Sequence, residues 1–430
     1  MELSPAGDTA QPAARLWLTQ VVGSRIVDRA GERLGRINDV IVRLAEGGYP
    51  PVSGLVGRIA GRRLFVPLNR IGDLTAEGVQ LTGEMLSLAR FERRQGEVLL
   101  REDVLGRSVI SVDSGRLVTA NDIELARGGD AWRVVGVEPG RGSFLRRLLP
   151  RRLRSRPRET RGFVDWANVE PFVGHVPTSR LLLPLRRLRR LHPAQIADIV
   201  EHASHEEGEE IISAVHGDPE LEADVFEELN TEHQVEFLKS RSDAEAAAVL
   251  AEMGTDDAAD LITELDQERR APILALLPPA QQAKVRALLS YNADSAGGLM
   301  SPDFVSVPEE GTVSDALAAV RSADVSEQIA ADIFLTDTEG RLAGAVPLLL
   351  LVQHTDGDHL SDLKQRGKTH VHPTDDFPEV ARMMADFNLT CAPVVDDADH
   401  IIGVITVDDV LEAMLPDSWR RRAEADASSG

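Results

Sequence analysis

From His192 to Ser290 the chain is a train of helical segments of about a dozen residues each. Their starts are marked by Pro193, Asp218-Pro219, Thr231, Ser242-Asp243, Thr255-Asp256, Gln267 and Pro278-Pro279, residue types that cap or open helices. Each segment repeats a small apolar face: Ile196 with Ile199 and Val200, Val225 with Leu229, Val235 with Leu238, Val249 with Leu250 and Met253. Helices this short are marginal in water alone, so they must stack on their neighbours and share a core. Residues 190–297 are therefore expected to form an α-helical superhelix.

One segment carries an extra signal. In Thr255 to Leu265, Ala258, Leu261, Ile262 and Leu265 form one apolar helical face, whereas Asp256, Asp260 and Glu264 repeat at spacing four. Such a like-charge stripe costs a helix a few tenths of a kcal/mol per pair (~0.2 to 0.5). Thr255 as a cap and acids in the first turn account for Asp256 and Asp257 but leave Asp260 and Glu264 unexplained. Two readings stay open here, a solvated acidic face and a cation site. His202 and His205 lie one turn apart beside Glu206, but no third or fourth ligand converges nearby to make a transition-metal site.

The charge is unevenly spread. Up to Arg190 there are 32 arginines, no lysine and 21 acids, a net charge of +11 against −23 for the whole chain, so the remainder carries −34. A region so acidic wants cations. At 430 residues the chain holds several domains. Cys391 is the one cysteine, which excludes an internal disulfide and fits a reducing cytosol; at the start of an apolar strand it reads as buried and inert. Neither a signal peptide nor a membrane-spanning segment is visible, the longest apolar run, around Leu342 to Val352, being about half of what a span needs. A cytoplasmic location is expected, with membrane association as an open variant. The sequence shows no nucleophile-base pair, phosphate-cradling glycine loop or metalloprotease spacing, so an enzyme is not expected.

From Leu16 onward, short alternating segments separated by glycine turns predict a small β-barrel. The pattern recurs. Val104-Leu105-Gly106-Arg107-Ser108-Val109 echoes Val21-Val22-Gly23-Ser24-Arg25-Ile26, and Phe163-Val164-Asp165-Trp166 echoes Phe65-Val66-Pro67-Leu68. The duplicated segments, 16–95 and 96–185, resemble the PRC-barrel family in tandem, after a disordered N-terminus at 1–15. The resemblance implies an adaptor. A basic insertion at 140–160, Arg146 to Arg158 with interleaved leucines, interrupts the second repeat. It reads as a solvated loop, as a contact to an anionic membrane or RNA, or as a docking segment for a protein, with Pro150 and the scarcity of aromatics weighing against RNA.

After Ser295-Ala296-Gly297-Gly298-Leu299-Met300 the periodicity changes to two βαββ-like units. The first has strand Phe304 to Val307, a helix from Val313 capped by Thr312, and strands Asp332 to Thr336 and Leu342 to Val346. The second has His370 to His372, a helix from Phe377 capped by Thr374, strands Ala392 to Asp396 and Ile401 to Thr406, and a helix from Val407. Ala331 to Val346 aligns with Thr390 to Ile405 without a gap.

The segment Cys391 to Asp396 with Ile402 to Leu411 resembles a CBS domain, and the earlier unit resembles its more divergent partner. With the helical train and its Asp256-Asp257-Ala258-Ala259-Asp260 motif, residues 192–415 resemble the cytosolic part of MgtE-type magnesium transporters. The expected fold is thus multidomain α+β: two PRC-barrel-like β-barrels, the helical superhelix at 190–297, a CBS pair of βαββα units at 298–355 and 356–415, and a flexible tail at 416–430.

In that family, carboxylates share Mg²⁺ between the helical domain and the CBS pair. The matching positions are Asp256, Asp260 and Asp224 with Asp376, Asp409 and Glu412, whereas Pro378 and Asn388 stand where the family has acids. The family's connecting helix and pore do not follow, so the resemblance implies a Mg²⁺-responsive regulator that does not itself conduct. It also implies a homodimer through the CBS pair, a membrane transporter or another protein as partner, and ATP or another adenine nucleotide as an alternative ligand at Thr406 and Asp409. The bland reading of Thr406 and Asp409 is that they cap and solvate the last helix.

Overall fold

The computed structural model describes residues 14–44, 48–82, 88–128, 131–140, 163–172, 187–364 and 369–415. The basic stretch Arg146 to Arg158 and the tail from 416 lie outside the described residues, as do residues 1–13 of the N-terminus. The chain divides into two compact units, Met1–Asn230 and Thr231–Gly430.

The first unit opens with β1 (Arg15–Trp17), α1 (Leu18–Val21), β2 (Arg25–Val27), β3 (Arg33–Arg43), β4 (Val52–Ile59), β5 (Arg62–Pro67) and β6 (Gly78–Gln80). There follow β7 (Glu97–Leu99), β8 (Ser108–Ser111), β9 (Arg116–Thr119), β10 (Asp122–Gly128), β11 (Ala131–Glu138), β12 (Val164–Asp165) and β13 (Val169–Pro171). The duplication is visible in the backbone. Gly23 and Gly106 both take left-handed φ values, 81° and 83°, and their N–H groups donate to Ile37 and Ala120 carbonyls, each at 2.7 Å. A side chain would be strained at both positions.

The repeats do not close into the expected barrels among the described residues; their sheets stay open, in the orders β5-β4-β3-β2-β6 with β7 on β3, β1-β10-β11-β12, and β13-β8-β9. The reason is an exchange of first strands. β1 leaves the first repeat to pair with β10, and β7 leaves the second to pair with β3. Each crossing is fixed by a buried aspartate. Asp122 accepts from the backbone N–H of Thr19 at 3.1 Å and from its hydroxyl; Asp39 accepts from the N–H groups of Arg101 at 2.8 Å and Glu102 at 3.1 Å, in the helical turn Leu100–Val104. One core serves both repeats, joining Leu18, Ile26 and Val66 with Val109, Val134 and Trp166. Three helices complete the unit: α2 (Pro193–His202), α3 (His205–Val215) and α4 (Pro219–Glu228). α2 packs on α3 and α4 and against β9.

The second unit begins with α5 (Thr231–Lys239), α6 (Asp243–Glu252), α7 (Thr255–Glu264), α8 (Gln267–Leu276) and α9 (Pro279–Leu288). Met253, Leu265 and Leu277 end three of these helices in extended backbone and are buried. The apolar residue stops the helix and anchors the turn, so each helix packs on the next but one: α5 on α7, α6 on α8, α7 on α9. This is the geometry of a superhelix. Arg269 of α8 locks it, donating to Asp243 at 2.8 Å and to the Leu238 and Arg241 carbonyls at 2.8 and 2.9 Å.

The short α10 (Ala296–Leu299) leads to β14 (Ser306–Pro308), α11 (Val313–Ser322), β15 (Asp332–Thr336), β16 (Leu342–Pro347), α12 (Leu348–Val352) and α13 (Leu360–Leu363). The second half has α14 (Phe377–Phe387), β17 (Cys391–Val395), β18 (Ile401–Thr406) and α15 (Val407–Met414). β14 runs parallel to β15 and β15 antiparallel to β16; in the second half Val371 bridges Val394 in parallel and β17 is antiparallel to β18. The halves repeat one topology, as expected of a CBS pair, and share a small core of Phe334 and Leu342 with Cys391, Val395 and Val404. Cys391 is buried as expected, and burial pushes its thiol well above the ordinary range. Asp376, not Thr374, is the N-cap of α14.

Candidate functional site

The acidic stripe of α7 lies within electrostatic reach of α15, since Asp409 acts on Asp256 and Glu412 on Asp260. Gly254, not Thr255, is the N-cap of α7; Thr255 is the first helical residue and its hydroxyl donates to the Asp303 carboxylate at 2.8 Å. Lys284 of α9 forms an ion pair with the same carboxylate. Two residues upstream, Ser301 bridges Val404 of β18 by backbone bonds of 2.8 Å in each direction. Gly403 permits this approach, since a Cβ there would lie 2.7 Å from the Ser301 carbonyl oxygen. The Gly-Gly segment has a similar role: Ala296 and Gly297 donate to the Asp375 and Pro373 carbonyls, both at 2.9 Å, strapping α10 onto the second CBS half.

This framework brings carboxylates together. Asp256, half-buried, accepts a hydrogen bond from the Ser301 side chain; burial, and after it the charge of Asp409, raise its pKa to about 7. Asp260, on the exposed rim, is raised to about 6 by desolvation, then by Glu264 and Glu412. Asp409 is raised by burial, with Glu412 and Asp408 adding to it against the hydrogen bonds of Thr406. Asp256, Asp260, Asp409 and Glu412 thus form one electrostatic group across two helices. Asp256, Asp260 and Asp409 hold their protons more tightly than free aspartates, first because burial penalises the charged form and then because neighbouring carboxylates oppose ionisation.

Two candidates remain, one in each unit. Asp376 is exposed at the head of α14, its backbone bridging Ser295. Asp224 belongs to the first unit, on α4, where burial and then Glu220 raise its pKa. At the proposed nucleotide position, Thr406 and Asp409 are engaged with one another: the Asp409 carboxylate accepts from the Thr406 N–H at 2.8 Å and the Thr406 hydroxyl accepts from the Asp409 N–H at 3.3 Å. This reciprocal cap is the bland reading of both residues. His202 spends its Nδ1 on the Asp198 carbonyl.

The donors of the group are all carboxylate oxygens, without histidine or thiolate, which suits a hard cation. Among the described residues no three His, Cys, Asp or Glu side chains converge as a ready-made cage. Carboxylate oxygens are the donors Mg²⁺ takes, one or two at a time beside several waters. The sequence pointed to these four acids but not to Thr255–Asp303–Lys284 or Ser301–Asp256, which depend on residues distant in the chain.

Residues 191–294 match the MgtE intracellular N domain family, and residues 360–416 match the CBS domain family. This part of the chain is homologous to the cytosolic region of MgtE. The magnesium transporter MgtE of Thermus thermophilus is 33% identical over 195 residues, 45% of this chain and 43% of the relative. That of Enterococcus faecalis is 33% identical over 135 residues, 31% of this chain and 30% of the relative. The chain therefore spans less than half the length of these relatives. A solved structure of the cytosolic domain of the Mg²⁺ channel MgtE in complex with ATP is 30% identical, covering 54% of this chain and 95% of that one with a TM-score of 0.49. Among the described residues of this MgtE-like chain, no helix is long and apolar enough to cross a membrane.

Proposed function

We propose that this protein is a Mg²⁺-responsive regulator that acts by binding rather than catalysis. Hydrated Mg²⁺ bridges Asp256 and Asp260 of α7 to Asp409 and Glu412 of α15, and the state of that junction is passed to a protein partner through the PRC-barrel-like repeats. The observation that carries this reading is that, after burial, the charge of Asp409 on α15 acts on Asp256 of α7 and that of Glu412 acts on Asp260. Such carboxylates repel one another until a cation sits between them. The names of the sequence relatives, magnesium transporters, support the choice of ion. Small-angle scattering of the full chain across a Mg²⁺ titration tests it. The wild type is expected to compact and Asp256→Ala with Asp260→Ala is not; an unchanged wild type at millimolar Mg²⁺ removes the proposal.

The alternative ligand is an adenine nucleotide at Thr406 and Asp409. Binding there must break their reciprocal cap, which weighs against it. Calorimetry with ATP, ADP and AMP decides, since a nucleotide site predicts heat that Asp409→Ala removes. A homodimer through the CBS helices is the expected assembly, supported by exposed Leu349, Val352, Phe387, Leu411 and Met414 on α12, α14 and α15.

A further inference from the structure

The registers of the first sheet place four arginines in a row. Arg25 of β2 is paired with Arg36 of β3, Arg36 with Arg58 of β4, and Arg58 with Arg63 of β5. Partners in register point to the same face, and all four residues are exposed. At ~4.8 Å between strands the row spans about 14 Å. Neighbouring residues on the opposite face, Ile26, Ile37, Ile59 and Val66, are buried in the shared core.

Like charges directly opposite one another destabilise a sheet, and only one of the four is relieved. Arg63 pairs with Glu102 at 3.0 Å; among the described residues Arg25, Arg36 and Arg58 have no carboxylate partner. Two positions along β5, the exposed Arg94 guanidinium lies over the Phe65 ring at 4.9 Å, adding a fifth cation to the same face. Arg25, Arg36 and Arg58 have no such compensation among the described residues, and so carry a local cost of the kind proteins keep at functional surfaces.

The shape selects the anion. The registers set the four arginines side by side on neighbouring strands of one face. The nearby rings that could stack a nucleic-acid base, Phe65 and Phe91, are already covered by Arg94 and Arg63. Guanidinium forks suit phosphate, and the basic residues of this half of the chain are all arginine. We propose that this face docks on an anionic phospholipid surface, Arg25, Arg36, Arg58 and Arg63 reading headgroup phosphates.

The test is co-sedimentation of the full chain with phosphatidylcholine vesicles with and without phosphatidylglycerol, at low and physiological ionic strength. Wild type should bind only the anionic vesicles and release as salt rises, because screening shortens to ~8 Å at physiological strength. Each Arg→Gln should weaken partitioning about 5-fold, and Arg25→Gln with Arg36→Gln and Arg58→Gln on the order of 100-fold. The triple Arg→Lys variant, which keeps the charge and loses the guanidinium forks, should fall between wild type and the triple Gln variant. The triple Gln variant should melt no lower than wild type, since it relieves repulsion; if it fails to fold, single Arg36→Gln carries the comparison. Unchanged binding by a folded Gln variant overturns the assignment. So does failure to bind anionic vesicles, whether or not the chain binds duplex RNA in a parallel arm.

Discussion

Replacing Asp256 by Asn should stabilise the Mg²⁺-free protein at alkaline pH. The folded state raises this carboxyl from 3.8 to about 7, so it holds its proton more tightly than the unfolded chain does. Ionisation therefore opposes folding. The cost is absent below the unfolded value near 4, grows between about 4 and 7, and is complete above about 7. A tenfold change in proton affinity is worth ~1.4 kcal/mol, which sets a ceiling of roughly 4 kcal/mol. The side chain is only half-buried and its charge is shared with Asp409, so roughly 2 kcal/mol is the working figure. For a cooperative unit of this size ~1 kcal/mol moves the melting temperature by about 2 to 4 °C. Thermal melts at pH 8 with chelator should then place Asp256→Asn about 4 to 8 °C above wild type, and the gap should close near pH 4. Added Mg²⁺ should raise the wild type and leave the variant where it is. Because Mg²⁺ displaces protons from raised carboxyls, the wild-type response should also strengthen between pH 6 and 8. A variant that melts below wild type at pH 8 without Mg²⁺ would refute the reasoning, showing that Asp256 serves as a structural acceptor for Ser301 and not as part of a strained anionic group.

Three further outcomes follow from the packing. Arg269→Ala removes an ion pair and two bonds to helix-end carbonyls, and should cost about 2 kcal/mol in urea unfolding, with the loss concentrated where α5, α6 and α8 meet. Asp39→Ala and Asp122→Ala each uncap the turn contributed by the other repeat; each should lower stability by about 1 to 2 kcal/mol, and unequal partial unfolding of one repeat alone would contradict the shared core. Gly403→Ala forces a Cβ towards the Ser301 carbonyl. Hydrogen exchange should speed at the Ser301 and Val404 amides, and unaltered protection there would mean that the strap does not depend on this contact.

Local chemistry was legible wherever a pattern repeats within one turn or one strand. The helix starts at Pro193, Thr255, Gln267 and Pro279, the Thr312 cap, β18 and the start of α15 at Val407 all follow from residues adjacent in the chain. Cap identity failed by one or two positions at Gly254 and Asp376, because it depends on the backbone angles of single residues and both sequences offer neighbouring candidates. The acids Asp256, Asp260, Asp409 and Glu412 could be nominated from spacing and resemblance; that Asp409 acts on Asp256 and Glu412 on Asp260 depends on where α7 and α15 pass.

The same division runs through the β repeats. Alternation and glycine turns determined that strands form and that the unit is duplicated. They carry no information about which strand pairs with which, so the exchange of β1 and β7 between the repeats belongs to the tertiary structure. The arginine row is a sharper case. Arg25, Arg36, Arg58 and Arg63 are unremarkable in sequence, separated by 11, 22 and 5 positions. Only strand register, including the irregularity between Ile37 and Asp39, brings them onto one line of one face. Sequence determined the elements and their chemistry because those arise from neighbours along the chain; tertiary structure decided the shared core, the carboxylate group and the arginine row because each requires residues that meet only after folding.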